Sequence, residues 1–363
     1  MRLTFFILVL IATLSCSDEA AEINNPVAKA LYFPPTNSNS WEVTSSADLG
    51  WDQNELDDLK SYLEQEGTRA FIILKDGKIV VEEYWNRDLL DINGFSQHSQ
   101  WYWASAGKSL TAVMTGIAQE KGFLNINDSA QDYLGAGWTS MTDDQEKRIT
   151  IKNQLTMTTG VDYNILDTSC TDPECLKYLS DPNQFWYYHN ATYTLLSKVI
   201  ENATNKDFNL LTNDWIESPI GMNGSWRNLG NNQVYFSTAR DAARFGLLTL
   251  AQGSWNGNQV ISKDFVSEMT TSSQALNPSY GYLWWLNGKS SVVYPASTQS
   301  FTTSILPNAP SDMISAIGAN EQIIDVIPSQ NMVIIRMGSS SDSSPVPFTI
   351  HTEMWNYLNK IIR

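Results

Sequence analysis

Ser105-Ala106-Gly107-Lys108 places a hydroxyl and an amine three residues apart, and side chains three apart on a helix share a face. Leu110, Val113, Met114, Ile117 and Ala118 follow as an apolar stripe, so the segment reads as a helix that Ser105 opens. A lysine buried by such a helix has its pKa lowered by desolvation, and the neutral amine can accept the serine proton. The first turn of a helix also presents backbone N–H groups beside the serine, where an oxyanion can form. A Ser N-cap followed by an exposed Lys has the same spelling, so Ser-x-x-Lys alone decides nothing.

A second motif, Tyr188-His189-Asn190, lies just before an amphipathic pattern over 193–203. A tyrosine held beside a lysine ammonium is pushed toward phenolate and can act as general base, while an asparagine amide can orient a substrate. The Tyr-x-Asn spacing recurs at Tyr84 and Tyr357, one in a hairpin and one in a closing helix, where each reads as a packing aromatic. The chain has three histidines, His98, His189 and His351, and no Gly-x-Ser-x-Gly. A Ser-His-Asp triad therefore has no marked serine, and zinc chemistry has little support.

These groups need a scaffold. Leu56, Leu59 and Leu63 predict a helix over 53–65, and residues 71–74 and 79–81 predict two strands joined by an Asp76-Gly77 turn. The pattern repeats at 322–327 and 332–337 around Pro328-Ser329-Gln330-Asn331, and Met354, Tyr357, Leu358 and Ile361 predict a closing helix over 349–362. Between these ends, residues 105–226 carry mainly helical patterns. Strands, then helices, then strands imply an α+β body with an inserted helical lobe.

Composition bounds the function. Apolar residues make up 42% of the 363 and charged residues 17%, with 13 Trp, 15 Tyr and 13 Phe, which marks a globular protein with a sizeable core. A formal charge of -16 excludes nucleic acid as an expected partner, because phosphate backbones demand clustered Lys and Arg. Residues 5–14 form an apolar run after Arg2. It is too short to span a bilayer but suits the core of a signal peptide. Leu14-Ser15-Cys16 resembles a bacterial lipoprotein signal, with Thr13 a departure, so lipidation of Cys16 is expected. The expected organisation is a signal peptide over 1–16, a flexible tether over 17–40, and one body over 41–363. Cys170 and Cys175 remain, and an oxidising exported setting predicts a small disulfide loop between them.

Further motifs complete a pattern: Leu155-Thr156-Met157-Thr158-Thr159-Gly160, Pro219-Ile220-Gly221-Met222, Ser237-Thr238-Ala239-Arg240-Asp241 and Tyr280-Gly281-Tyr282-Leu283-Trp284-Trp285. With Ser105, Lys108, Tyr188 and Asn190, the chain after Trp51 resembles the serine β-lactamase and penicillin-binding-protein superfamily. The resemblance is to its class C β-lactamase-like hydrolases, which include esterases and 6-aminohexanoate-dimer hydrolases.

The resemblance implies a β-lactamase/transpeptidase-like α+β fold: an antiparallel sheet flanked by helices, with a mainly helical lobe inserted. The sheet lobe would span about 41–104 and 235–363, and the helical lobe about 105–234. It also implies that Ser105 is acylated, that Lys108 and Tyr188 share proton transfer, and that Asn190 contacts substrate. The family's third motif, a Lys or His followed by x-Gly, looks here like Ala316-Ile317-Gly318-Ala319-Asn320-Glu321. By the same resemblance, Ala319 N–H would join Ser105 N–H as the oxyanion hole beside Gly318. Two departures stand out: Ala316 supplies no cation, and Glu321 stands where relatives often have Gly.

A cation there helps hold the carboxylate of a penicillin or a D-Ala-D-Ala peptide, so its absence favours small esters or linear amides. A β-lactamase or D-Ala-D-Ala peptidase is the alternative, with Arg336 and Lys289 as the nearest substitute cations along the chain. A catalytically silent envelope binding protein is a second. No cofactor or metal is expected. The expected partners are a small ester, amide or peptide-like substrate and, through the lipid, a bacterial envelope membrane.

Overall fold

The computed structural model describes residues 31–342 and 348–362. The expected signal peptide, Cys16 and residues 17–30 of the expected tether lie outside them.

At its centre is a six-stranded antiparallel sheet in the order Lys78–Tyr84, Thr68–Lys75, Met332–Gly338, Gln322–Ile327, Ile314–Gly318, Trp285–Leu286. The first hairpin turns at Asp76 and Gly77, with φ of 53° and 83°, the left-handed pair a tight hairpin requires. Side chains alternate between faces along each strand. Phe71, Ile73, Ile323, Ile327 and Ile334 meet Leu59 and Leu63 of the Gln53–Gln65 helix and Met354 and Leu358 of the Thr349–Ile361 helix. Ile72, Leu74, Ile324, Val333 and Ile335 face the other way, toward the Ala239–Leu250 helix and the core of the helical lobe. Each such burial stabilises by roughly 1.5–3 kcal/mol.

The expected boundaries need two corrections. Residues 31–40 pack on the body. Tyr32 N–H donates to Asp76 O, Phe33 meets the Trp255 ring at 5.1 Å, and the Arg244 guanidinium donates to the carbonyls of Pro35 and Ser38. Buried donors that take backbone carbonyls hold a segment whose sequence has no periodicity, so residues 31–40 belong to the body. The hairpin of Gly224–Leu229 and Asn232–Ser237 pairs with Trp101–Tyr102. That small sheet crosses both expected lobe boundaries.

Candidate active site

The chain enters the site from Trp101–Tyr102. Trp103 is anchored by its N–H to Tyr235 O at 2.8 Å and by its indole N–H to Ser237 Oγ at 2.9 Å. Ala104 then adopts a left-handed φ of 47°, a conformation costing about 1–2 kcal/mol for a non-glycine residue and enriched at functional sites. Ser105 sits in a 3₁₀ turn, Ala104–Ala106, and the α-helix proper begins at Gly107. The sequence places Ser105 as the opening residue of that helix; the structure gives it a tighter turn first, in which residues three apart nearly eclipse. Lys108 Nζ consequently lies 2.8 Å from Ser105 Oγ.

The Gly107–Glu120 helix is not amphipathic. All residues from Gly107 to Ala118 are buried, so Lys108 is threaded through the core and only 2% exposed. Its amine lies 3.9 Å from the Tyr193 ring centroid and 4.7 Å from that of Tyr188. Desolvation holds its pKa well below the ordinary lysine value, which disfavours the ammonium and readies the amine to take a proton.

Tyr188 leads into the Asn190–Thr204 helix, which also carries Tyr193. The backbone before it is pinned by Tyr187 N–H to Met157 O at 3.1 Å, from the Leu155–Gly160 motif. Its ring stacks on Trp285 at 5.9 Å and meets Tyr280 edge-on at 6.1 Å. Burial pushes the phenol pKa up, opposed by hydrogen bonding with Ser105 and Tyr280. Burial thus disfavours the charged form of both groups, the ammonium and the phenolate. The expected push of Tyr188 toward phenolate by an ammonium does not describe this arrangement, because burial is the largest influence on both groups.

Gly318 ends its strand against the Ser105 turn. A Cβ there would stand 2.3 Å from Trp103 O and 3.1 Å from Ala104 Cβ, so the sheet approaches the turn only because this residue is glycine. Gly318 and Ala319 line the same cavity as Ser105, Tyr188 and Asn190.

The cleft has two arms that meet at Ser105, Asn190 and Ala319. One, about 260 Å³, is walled by Tyr187, Tyr188, Trp285, Ile317 and Phe348. The other, about 340 Å³, is walled by Tyr102, Tyr193, Leu229 and Val234. Lys108 is the one Lys, Arg, His, Asp or Glu among the described residues lining either arm. Residues 343–347, beside Phe348, read Ser-Ser-Pro-Val-Pro and carry no charge. Neither substitute cation reaches the cleft. Lys289 lines neither arm, and Arg336 is fully buried, donating to Asn320 O at 2.6 Å and Glu321 O at 3.0 Å.

Among the histidines, His98 is exposed, while His189 and His351 are buried. Cys170 and Cys175 form a disulfide in the loop that carries Thr168, a residue of the first arm. Sequence reasoning missed Tyr193, Tyr280, Leu229 and Phe348. Tyr193 had a usable signal, one helical turn after Asn190, and Tyr280 lay inside a motif already noted but without a role.

A profile of the β-lactamase family matches residues 60–353. An uncharacterized protein of Alkalihalophilus pseudofirmus is 22% identical over 311 residues, covering 76% of this chain and 85% of that protein. A solved structure from Bacillus anthracis, described as a 6-aminohexanoate-dimer hydrolase, superposes with a TM-score of 0.68 at 19% identity, covering 91% of each chain. A D-alanine carboxypeptidase from Burkholderia cenocepacia superposes with a TM-score of 0.63 at 16% identity, over 86% of this chain and 99% of its own. The fold is the β-lactamase/transpeptidase fold. With the family profile spanning most of its length, the chain belongs to the β-lactamase family, within the serine hydrolases of that fold.

Proposed function

We propose that the chain hydrolyses small, uncharged esters or amides through an acyl-enzyme on Ser105. The observation that carries this reading is the buried Lys108 amine, its ammonium form disfavoured by desolvation, 2.8 Å from Ser105 Oγ at the junction of two open arms. Lys108 Nζ takes the hydroxyl proton as Ser105 Oγ bonds the substrate carbonyl carbon. The N–H groups of Ser105 and Ala319 receive the oxyanion. Tyr188 gives its proton to the leaving oxygen or nitrogen as that bond breaks, and recovers one from Lys108. Water then attacks the ester carbonyl of the acyl-enzyme, giving a proton to Tyr188 as Tyr188 passes its own to Lys108, and Lys108 returns a proton to Ser105 Oγ as the Oγ–acyl bond breaks. Asn190, at the junction, orients the substrate.

Uncharged walls favour this substrate class over a β-lactam or a D-Ala-D-Ala peptide, each of which brings a carboxylate. One missing charge-assisted contact is worth about 1.5–3 kcal/mol, or roughly 10- to 150-fold. Comparing kcat/KM for p-nitrophenyl butyrate and nitrocefin tests the reading, and a preference for nitrocefin overturns it. We also propose that Cys16 carries lipid and anchors the enzyme in the bacterial envelope. Cys16→Ser should then move the protein from the detergent to the aqueous phase, and equal partitioning of both forms counts against the anchor.

A further inference from the structure

Glu321 is the departure in the third motif that the proposed chemistry leaves unexplained. Its φ is 55°, directly after Asn320 at 59°, so two consecutive non-glycine residues occupy the left-handed region in the turn that follows Ala319. Such residues persist only where their surroundings over-determine them. Here the surroundings do so. Gln322 Nε2 donates to Ala319 O at 3.1 Å and Asn320 O at 3.3 Å, and Asn320 Nδ2 donates to Tyr102 Oη at 2.8 Å. The buried Arg336 guanidinium lies beneath the turn and takes the carbonyls of Asn320 and Glu321.

The Glu321 carboxylate, fully buried, reaches away from this turn to the Thr349–Ile361 helix. It accepts Ile350 N–H at 3.1 Å on one oxygen and His351 N–H at 2.7 Å on the other. That helix has no side-chain cap of its own, since its N-cap residue is Phe348. A carboxylate on orphan N–H groups at a helix N-terminus is favoured by both hydrogen bonding and the helix dipole. Phe348, directly before that helix, is a wall of the first arm of the cleft.

We infer that Glu321 is a positioning residue that fixes two parts of the site at once: the Ala319 N–H aimed at the oxyanion, and Phe348 as a wall of the first arm, which we assign to the leaving group. This rests on the proposed acyl-enzyme reading. A glycine at 321 would accept the left-handed φ without strain but could not tie the turn to the helix. The carboxylate therefore locks the oxyanion turn to a substrate wall supplied by the far end of the chain.

The test uses the full chain with Glu321→Gly and the isosteric Glu321→Gln, assayed on ethyl butyrate and on p-nitrophenyl butyrate. Full loss of one oxyanion donor costs 10²–10³ in kcat. A displaced donor should cost roughly 10-fold or more in kcat on both esters. KM should rise for the aryl ester alone, because Phe348 meets only the bulky leaving group. Glu321→Gln, which keeps the volume and one acceptor, should fall between Glu321→Gly and wild type on both measures. It also serves alone if Glu321→Gly does not fold. Folded variants with wild-type kcat and KM on both esters, even if less heat-stable, overturn the inference and leave Glu321 a helix cap only. A wild-type chain that hydrolyses neither ester and leaves Ser105 unlabelled by a fluorophosphonate overturns the site reading instead.

Discussion

Among the described residues, two serines, Ser105 and Ser315, each sit in a cluster with several groups able to carry protons, and the two clusters are built differently. Ser105, Lys108 and Tyr188 meet where two arms of a cleft join. On the opposite face of the sheet, Ser315 Oγ donates to Asp325 Oδ1 at 2.6 Å, and His351 Nε2 lies 2.8 Å from Asp325 Oδ2. That second set contains the residue types of a Ser-His-Asp triad. Yet Ser315 is 2% exposed, Asp325 and His351 are fully buried, and Trp355 Nε1 also donates to Asp325. The aspartate sits between serine and histidine, so the imidazole does not reach the hydroxyl. Residue types alone do not make a site: the Ser105 cluster has a base in contact with the nucleophile, a strained turn at Ala104 and open space in front of it.

Replacing Lys108 should break the comparison most sharply. Lys108→Met fills the same buried volume without a base, and turnover of p-nitrophenyl butyrate should fall by 10³-fold or more. Stability should move the other way. The folded lysine pKa lies well below the ordinary value, so between that folded pKa and about pH 10.4 the unfolded chain binds a proton that the folded chain largely does not. Burying this lysine therefore costs stability at neutral pH, and the cost shrinks as pH rises through that window and is gone above about pH 10.4. Thermal melts should show Lys108→Met more stable than wild type at pH 7, with the gap closing by pH 11. The wild-type rate should rise with pH until Lys108 is neutral. Near-normal turnover by folded Lys108→Met removes the mechanism.

The sealed cluster should respond oppositely. Asp325→Ala leaves His351, Ser315 and Trp355 without their shared acceptor and should cost about 3–5 kcal/mol in urea unfolding, while kcat/KM of the folded protein stays within about twofold. A selective loss of kcat would make this cluster part of the machinery.

His189 gives the smallest effect. It is 2% exposed, and burial lowers its pKa to about 4. Its contribution to stability is complete above about pH 6.5 and is lost as pH falls toward 4, a change of roughly 3 kcal/mol. His189→Gln should flatten the fall in urea midpoint between pH 6.5 and 4. An unchanged slope places the acid sensitivity elsewhere.

The frame of the molecule was legible because periodicity and turn chemistry are local. The 53–65 helix, both hairpins and the closing helix stand where Leu spacing and Asp76-Gly77 put them. Within the site, Ser105, Lys108, Tyr188 and Asn190 were legible as motifs, and the structure brings them to one junction. What was not legible depends on tertiary burial. The all-round burial of the Gly107–Glu120 helix agrees with the lowered lysine pKa read from the sequence but works against the phenolate expected of Tyr188, whose pKa burial raises. Arg336, a lone charge in the strand Val333-Ile334-Ile335-Arg336-Met337, gave a signal of burial but none of its role beneath the turn. Residues 31–40 lack periodicity because Arg240 and Arg244, some 200 residues away, hold them through backbone carbonyls.

The most direct test of the central claim is mass-spectrometric mapping of a fluorophosphonate adduct, since a tetrahedral phosphonate forms only at an activated hydroxyl beside an oxyanion site. One adduct on Ser105, absent from Lys108→Met and unchanged in Asp325→Ala, is the predicted result. An adduct on another serine, or equal labelling of Ser105 in the folded Lys108→Met protein, would contradict the account.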